Sequence, residues 1–139
     1  MVTVYDVDAL ALVRKTAEKL EEINMKAPEW VGNVKSGPHR QRLPQEDNFW
    51  HMRCASILRK AYIGSPIGVS RLRTHYGGRV QRGVRPEKHK RSGGNMIRKA
   101  MQSMEKAGFL LKLKVGREIT GKGKALLDSA AKEVADKKE

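Results

Sequence analysis

One change of rhythm constrains this chain more than any other feature: at Gly108 the apolar pattern switches from helical to alternating. Upstream, Ile97, Ala100, Met101, Met104 and Ala107 recur at the three- and four-residue steps of one helix face, with Ser92 as a cap. Downstream, Phe109 to Val115 alternates like a half-buried strand, Gly116-Arg117 supplies a turn, and Glu118-Ile119 begins a return strand. A helix that stops at glycine and runs straight into a hairpin fits few architectures. The preceding segments narrow the choice. Asp47 or Asn48 caps a helix to about Tyr62, with Trp50, Cys54, Ile57, Leu58 and Ala61 on its buried stripe. Gly64 and Pro66 break it, Ile67-Gly68-Val69 is long enough only for a short strand, and Ser70 opens a short helix through Leu72 and Tyr76 that Gly77-Gly78 ends. Helix, short strand, short helix, loop, longer helix, hairpin is the order of a winged helix-turn-helix. Residues 92–107 take the recognition-helix position and the hairpin is the wing.

The flanks complete a mainly α chain. Asp6 or Asp8 caps an added N-terminal helix with Leu10, Val13, Ala17 and Leu20 on one stripe. Pro28, Pro38, Pro44 and Ser36-Gly37 make residues 25–47 an irregular connection, anchored to the core by Trp30 and Val31, which exposes a basic cluster of His39, Arg40 and Arg42. Thr120 caps a last helix that turns Leu126, Leu127, Ala130 and Val134 inward. A length of 139 residues suits one domain, 1–139, in which 1–47 packs on the core and 77–91 forms a basic loop. No long apolar run suggests a transmembrane helix, and no apolar segment after a basic start suggests a secretory signal. Cys54 is the only cysteine, so no internal disulfide or cysteine-rich zinc site can form, which is compatible with a reducing setting.

Charge says what this scaffold meets. The net charge is +14, but residues 1–34 carry −2 and residues 125–139 carry −1, so residues 35–124, with 22 basic and 5 acidic groups, hold the whole excess. From Asn48 to Pro86 no acidic residue occurs, against eight Arg and Lys. Such a block sustains a positive field that recruits a polyanion, whereas a solubilising face mixes both signs. Nucleic acid is the favoured partner over a membrane or an acidic protein, since no basic amphipathic surface helix accompanies the charge.

The connection before the recognition-position helix separates RNA from DNA. A DNA-reading helix-turn-helix joins its two helices by a turn of about 3–4 residues. Here residues 77–91 intervene, carrying Arg79, Arg82, Arg85, Lys88, Lys90 and Arg91. In an extended chain the arginines at every third position stand ~10 Å apart, each free to meet a different phosphate. That suits an irregular folded RNA, and the glycines suggest a segment that orders on binding; the bland alternative is a solvated disordered loop. Seven aromatics, of which Trp30, Trp50, Tyr62 and Phe109 read as structural, are too few for a base-stacking platform, so recognition runs through phosphates. Candidate contacts are Arg53, Arg59 and Lys60 on the second helix, Arg71 and Arg73 on the third, the six cations of the loop, and Arg98 and Lys99 on the fourth. No catalytic constellation competes. His39, His51, His75 and His89 lack metal-ligand spacing, Glu46-Asp47 reads as a cap and its neighbour, and no Gly-rich phosphate-binding motif occurs. No enzyme activity, cofactor or metal is expected. A DNA-binding winged-helix transcription regulator remains the alternative.

Specific stretches carry a resemblance. Pro28-Glu29-Trp30, Arg53-Cys54-Ala55-Ser56-Ile57-Leu58-Arg59, Tyr76-Gly77-Gly78-Arg79, Arg98-Lys99 and Gly116-Arg117-Glu118-Ile119-Thr120, in this order, resemble the archaeal and eukaryotic ribosomal small-subunit family S nineteen e. The resemblance implies a winged-helix protein on the head of the small subunit, bound to the 3′ major domain of its rRNA beside neighbouring ribosomal proteins, with a part in rRNA maturation and subunit assembly. It singles out Arg53, Arg59, Arg79 and Arg98 as RNA contacts. It implies a cytoplasmic ribosomal location, nucleolar during assembly in a eukaryote, and a monomer when isolated. Two departures stand out: Phe49-Trp50-His51 differs from the usual aromatic run, and Gly93-Gly94 replaces the Ser or Lys often found at the fourth helix start. The short N-terminus and the lack of a lysine-rich tail lean archaeal.

Overall fold

The computed structural model describes residues 2–23, 27–31, 33–44, 48–64 and 66–138. A single 3-10 turn, Val4–Asp6, leads into α1, Ala9–Glu22. Asp8 caps α1 by accepting the Ala11 N–H at 3.2 Å. The buried stripe of α1 is Leu12, Thr16, Ala17 and Leu20, while Leu10 is 54% exposed and Val13 only half-buried. The expected stripe is thus rotated, and Thr16 joins the core by bonding its hydroxyl to the Leu12 carbonyl at 2.8 Å.

The central helix is α2, Phe49–Gly64, with Trp50, Cys54, Ala55, Ile57, Leu58 and Ala61 buried. Its expected cap at Asp47 lies outside the described residues; the Asn48 carbonyl accepts the Met52 N–H at 2.9 Å. Helices α1 and α5, Gly121–Lys138, pack together on one side of α2, and Lys15 and Lys19 clamp Glu133 at 3.1 and 2.7 Å between them. Trp30 meets Trp50 edge to face at 6.3 Å and Tyr62 donates to Asp128 at 3.0 Å, so these aromatics are structural.

On the other side stand α3, Val69–Tyr76, and α4, Gly94–Ala107. Their caps are Gly68 and Gly93, not Ser70 and Ser92. Ser92 is instead held in the preceding turn: its N–H donates to the Arg73 carbonyl and its own carbonyl accepts from Arg73 Nε, both at 3.0 Å. Gly108, at φ 88°, ends α4. The chain then forms the wing, β3 (Leu110–Lys112) antiparallel to β4 (Arg117–Ile119). The expected strand at Ile67–Val69 reduces to one bridge, in which Ile67 and Arg117 exchange two 2.8 Å backbone bonds. Thr120 caps α5 by accepting the Gly123 N–H.

The largest correction concerns residues 77–91. They are not a loop. They form a second antiparallel hairpin, β1 (Gly78–Arg82) with β2 (Arg85–Lys90), turned at Gly83-Val84 and bulged between the Val80–Lys88 and Arg82–Arg85 pairs. No apolar alternation marks it because Gln81 to Lys90 are all exposed. The architecture is mainly α: a winged helix-turn-helix with an added N-terminal helix and a hairpin inserted ahead of α4.

Candidate nucleic-acid interface

The candidate cations fall into three groups, on α2, at the α3–α4 junction and on the inserted hairpin. The first belongs to α2 and is less exposed than its sequence suggests. Arg53 is half-buried, its guanidinium 4.0 Å over the Tyr76 ring and 5.2 Å from the Phe49 ring centroid. Burial is the main influence on its pKa, which it lowers. Tyr76 is fixed in turn by a 2.5 Å bond between its hydroxyl and Ser56 Oγ. Burial holds the Tyr76 phenol above its ordinary pKa, with the Ser56 bond and the neighbouring cations Arg53 and Arg59 opposing. Arg59 is half-buried too, and its Nε is enclosed without a partner. Both arginines were expected as exposed cations. They are instead partly packed ones, and the stacking that fixes Arg53 reduces the entropy it loses on meeting a phosphate. Lys60 lies partly covered beside them, and His75, edge-on to Tyr76 at 4.8 Å, is exposed with its pKa lowered by burial, Lys60 and Arg53.

The second group surrounds the start of α4. Arg73 lies across it: a Cβ on Gly94 would come within 3.0 Å of Arg73 Cδ. Arg73 is thus a strut between α3 and α4, not a free contact, whereas Arg71 and Arg91 are exposed. Arg98 and Lys99 are exposed on α4, and Arg98 Nη2 bonds Asn95 Oδ1 at 3.1 Å. No side chain caps this helix, so its N-terminal N–H groups add positive partial charge to the same place.

The third group is the inserted hairpin. Arg82 and Arg85 pair across its turn instead of trailing along an extended chain. Arg82 Nε donates to the Pro86 carbonyl at 2.8 Å, and Arg79 pairs with Glu87, the hairpin's one carboxylate. Arg85, Lys88 and Lys90 are exposed. Of the wing cations, Arg117 is spent on Glu105 and Met101 Sδ.

His39, Arg40 and Arg42 form a basic cluster on the connection, outside the candidate contacts. The structure brings them against Arg53, Phe49 and the base of β1. The proline-flanked basic cluster was the available signal; its contact with Gly78, far along the chain, was not. Among the described residues no group of three or more His, Cys, Asp or Glu side chains could hold a metal ion, and no helix is long and apolar enough to cross a membrane.

Comparison with known proteins adds to this geometry. The family model described as Ribosomal protein S19e matches residues 3–137. The chain is similar to a protein of Aeropyrum pernix named small ribosomal subunit protein eS19, 42% identical across 98% of this chain and 92% of that one. A protein of the same name from Haloarcula marismortui is 39% identical, covering 94% and 90%. The Schizosaccharomyces pombe protein named eS19B is also 39% identical, covering 94% and 92%.

Proposed function

From a chain that belongs to the ribosomal protein S19e family, we propose a structural, non-enzymatic constituent of the small ribosomal subunit that binds the rRNA of the subunit head, in its 3′ major domain, mainly through phosphates. Residues 1–139 act as one RNA-binding unit beside neighbouring ribosomal proteins, monomeric when isolated. It works on cytoplasmic ribosomes, with a role in subunit assembly and rRNA maturation that is nucleolar if the host is eukaryotic. The carrying observation is the prearranged cationic face. It comprises Arg53, Arg59 and Lys60 on α2, Arg71 on α3, Arg91, Arg98 and Lys99 at and along α4, and the hairpin cations Arg79, Arg82, Arg85, Lys88 and Lys90. Arg73 serves it from behind as a strut.

The division of labour follows from charge and geometry. Aromatic contacts hold Arg53 in place, the helix start adds oriented N–H groups, and the exposed hairpin adds reach. Sequence-specific DNA reading fits less well. A DNA-reading helix inserts its N-terminal residues into the major groove, and here that end is Gly93-Gly94 with Arg73 lying over Gly94, beside an inserted hairpin.

Salt titration of binding to a small-subunit rRNA fragment tests the proposal. With some 6–10 phosphates contacted, affinity falls roughly 10³–10⁵-fold between 50 and 200 mM salt. A nearly flat plot of log K against log salt overturns it, as does failure to co-sediment with small subunits from a native lysate.

A further inference from the structure

Next to the cationic face lies an open cavity of about 660 Å³, of which Arg53 is the only wall residue also counted among the candidate contacts. Its volume falls in the ~300–1,000 Å³ range of small-ligand sites. The lining has two characters. Arg40, Arg42 and Arg53 supply positive charge, while Phe49, Leu43 and Pro44 supply apolar surface. None of the described lining residues is acidic, and none of the three arginines forms an ion pair with a described residue.

The cavity is built into the fold. The turn at Gly37, closed by the Arg40 N–H on the Gly37 carbonyl at 3.2 Å, is tied to the start of α4 by Gly93 N–H on the Ser36 carbonyl at 2.8 Å. The His39 ring fills a slot between two glycines: a Cβ on Gly37 would sit 2.9 Å from it, and one on Gly78 2.7 Å. Both ring nitrogens are enclosed without partners. His39 therefore acts as a wedge that sets the distance between the proline-containing connection and the base of β1. On the opposite wall Phe49 and Arg53, one turn apart on α2, face the cavity together.

We propose that this cavity is a nucleotide pocket, which receives one unpaired nucleotide extruded from RNA. Its base would lie against Phe49 and the Leu43-Pro44 surface beside the Arg53 guanidinium, with its phosphate on Arg40 and Arg42. The two-sided lining selects this occupant. A phosphate alone leaves the apolar surface unused, a duplex cannot enter a concavity of this size, and an acidic side chain has no aromatic face to stack while its charge is repelled by the negative face of the Phe49 ring. Unpaired bases stack on aromatic rings and guanidinium planes. The pocket rests on the RNA-binding reading above but is separable from it.

The experiment uses the full chain and four probes: a short oligouridylate, an abasic ribose-phosphate chain of equal length, a hexaglutamate peptide, and a small-subunit rRNA fragment. The oligouridylate is expected to shift the Phe49 ring resonances and to bind about ten-fold or more tightly than the abasic chain. Phe49→Leu should erase that preference for bases. Arg40→Gln with Arg42→Gln, both on exposed residues, should weaken both oligomers while leaving the fold intact. Equal binding of the two oligomers overturns the proposal, as does displacement of oligouridylate by hexaglutamate at equal concentration. If the rRNA fragment binds and responds to Arg98→Gln with Lys99→Gln, yet the oligouridylate ignores the pocket variants, the pocket falls and the broader reading stands. If the rRNA fragment does not bind wild type at all, the broader reading falls first.

Discussion

The molecule carries two antiparallel hairpins that share a topology and little else. In β3–β4 the paired residues Leu110 and Ile119 are both buried, Phe109 is buried just before them, and the Ile67 bridge ties the outer side of β4 to the chain before α3. In β1–β2, from Gln81 to Lys90, no residue is buried, and the ladder, the Arg79–Glu87 pair and one Arg82–Pro86 bond are what hold it. A lone two-stranded hairpin is marginal in water, so β3–β4 draws its rigidity from the core and β1–β2 has little to draw on. The freedom is useful. A hairpin with little packing duty can give most of its side chains to charge.

The largest expected effect breaks the functional side of that contrast. Changing Arg79, Arg82 and Arg85 together to Gln should shrink the salt-dependence slope for an rRNA fragment by about two to three units, near one per lost phosphate. The lower end is favoured because Arg79 must first leave Glu87. Thermal stability should move by no more than about 0.5 kcal/mol, as for surface substitutions in general. Unchanged rRNA affinity would make β1–β2 a solvated ornament, and equal losses on rRNA and duplex DNA would make it an unselective cationic arm.

The structural side breaks at the other hairpin. Ile119→Ala should destabilise the chain by about 2–4 kcal/mol, the range for a buried Ile truncated in a packed core. Gly116→Ala should act in the same direction. Its φ of 82° strains an alanine, and the added Cβ would lie 2.9 Å from the Ile67 carbonyl that closes the bridge. Denaturant melts of both variants are the check. Wild-type-like midpoints would mean that the wing is no better anchored than β1–β2.

These same contacts explain what was readable in the sequence. Leu110 and Ile119 had to be buried, so alternation betrayed β3–β4 and its place after α4. Exposure removed that signal from β1–β2, whose ladder depends on backbone groups that every residue owns. Ser70 and Ser92 looked like caps because serine is a good one, but the backbone of Ser92 was already engaged by Arg73 on another helix. Arg53 looked free because its partner Tyr76 comes from α3, beyond any local pattern. The His39 slot needs Gly37 and Gly78 together, a juxtaposition made only by the folded chain. Composition and local period thus revealed the scaffold and its basic middle, while long-range contacts decided which cations are packed and which exposed.

A smaller effect comes from pH, and it too should tell the hairpins apart. Burial, then the charges of Arg40, His89 and Arg53, holds His39 below the ordinary imidazole pKa. A depressed pKa means that the unfolded chain takes up protons first on acidification. The stability linked to His39 is therefore present above about pH 6.5 and lost as pH falls through the lower folded value. Because the ring wedges against Gly78, amides at the base of β1–β2 should lose protection, relative to their intrinsic exchange rates, under mild acid while those of Leu110 and Ile119 keep theirs. His39→Gln should abolish the difference. Equal loss of protection in both hairpins would show that His39 supports the whole fold.

The smallest effect is the sharpest test of independence. Gly83 opens the two-residue turn of β1–β2 at φ 71°, the left-handed value such hairpin turns require. A Cβ there meets nothing within 4 Å, in contrast to Gly116 in the wing. Gly83→Ala thus isolates backbone strain of about 1–2 kcal/mol, with no clash added. If β1–β2 opens and closes apart from the core, that strain lowers the ordered fraction of the hairpin and leaves the melting temperature of the chain where it was. Affinity for an rRNA fragment should then fall in proportion to the ordered fraction, by at most the roughly 5- to 30-fold that 1–2 kcal/mol sets. Ladder chemical shifts at Val80 and Lys88 should move toward coil values, because that pair sits inside the turn's reach. A melting temperature lowered by several degrees would show that the strain is shared with the core, and the contrast between a free hairpin and an anchored one would be lost.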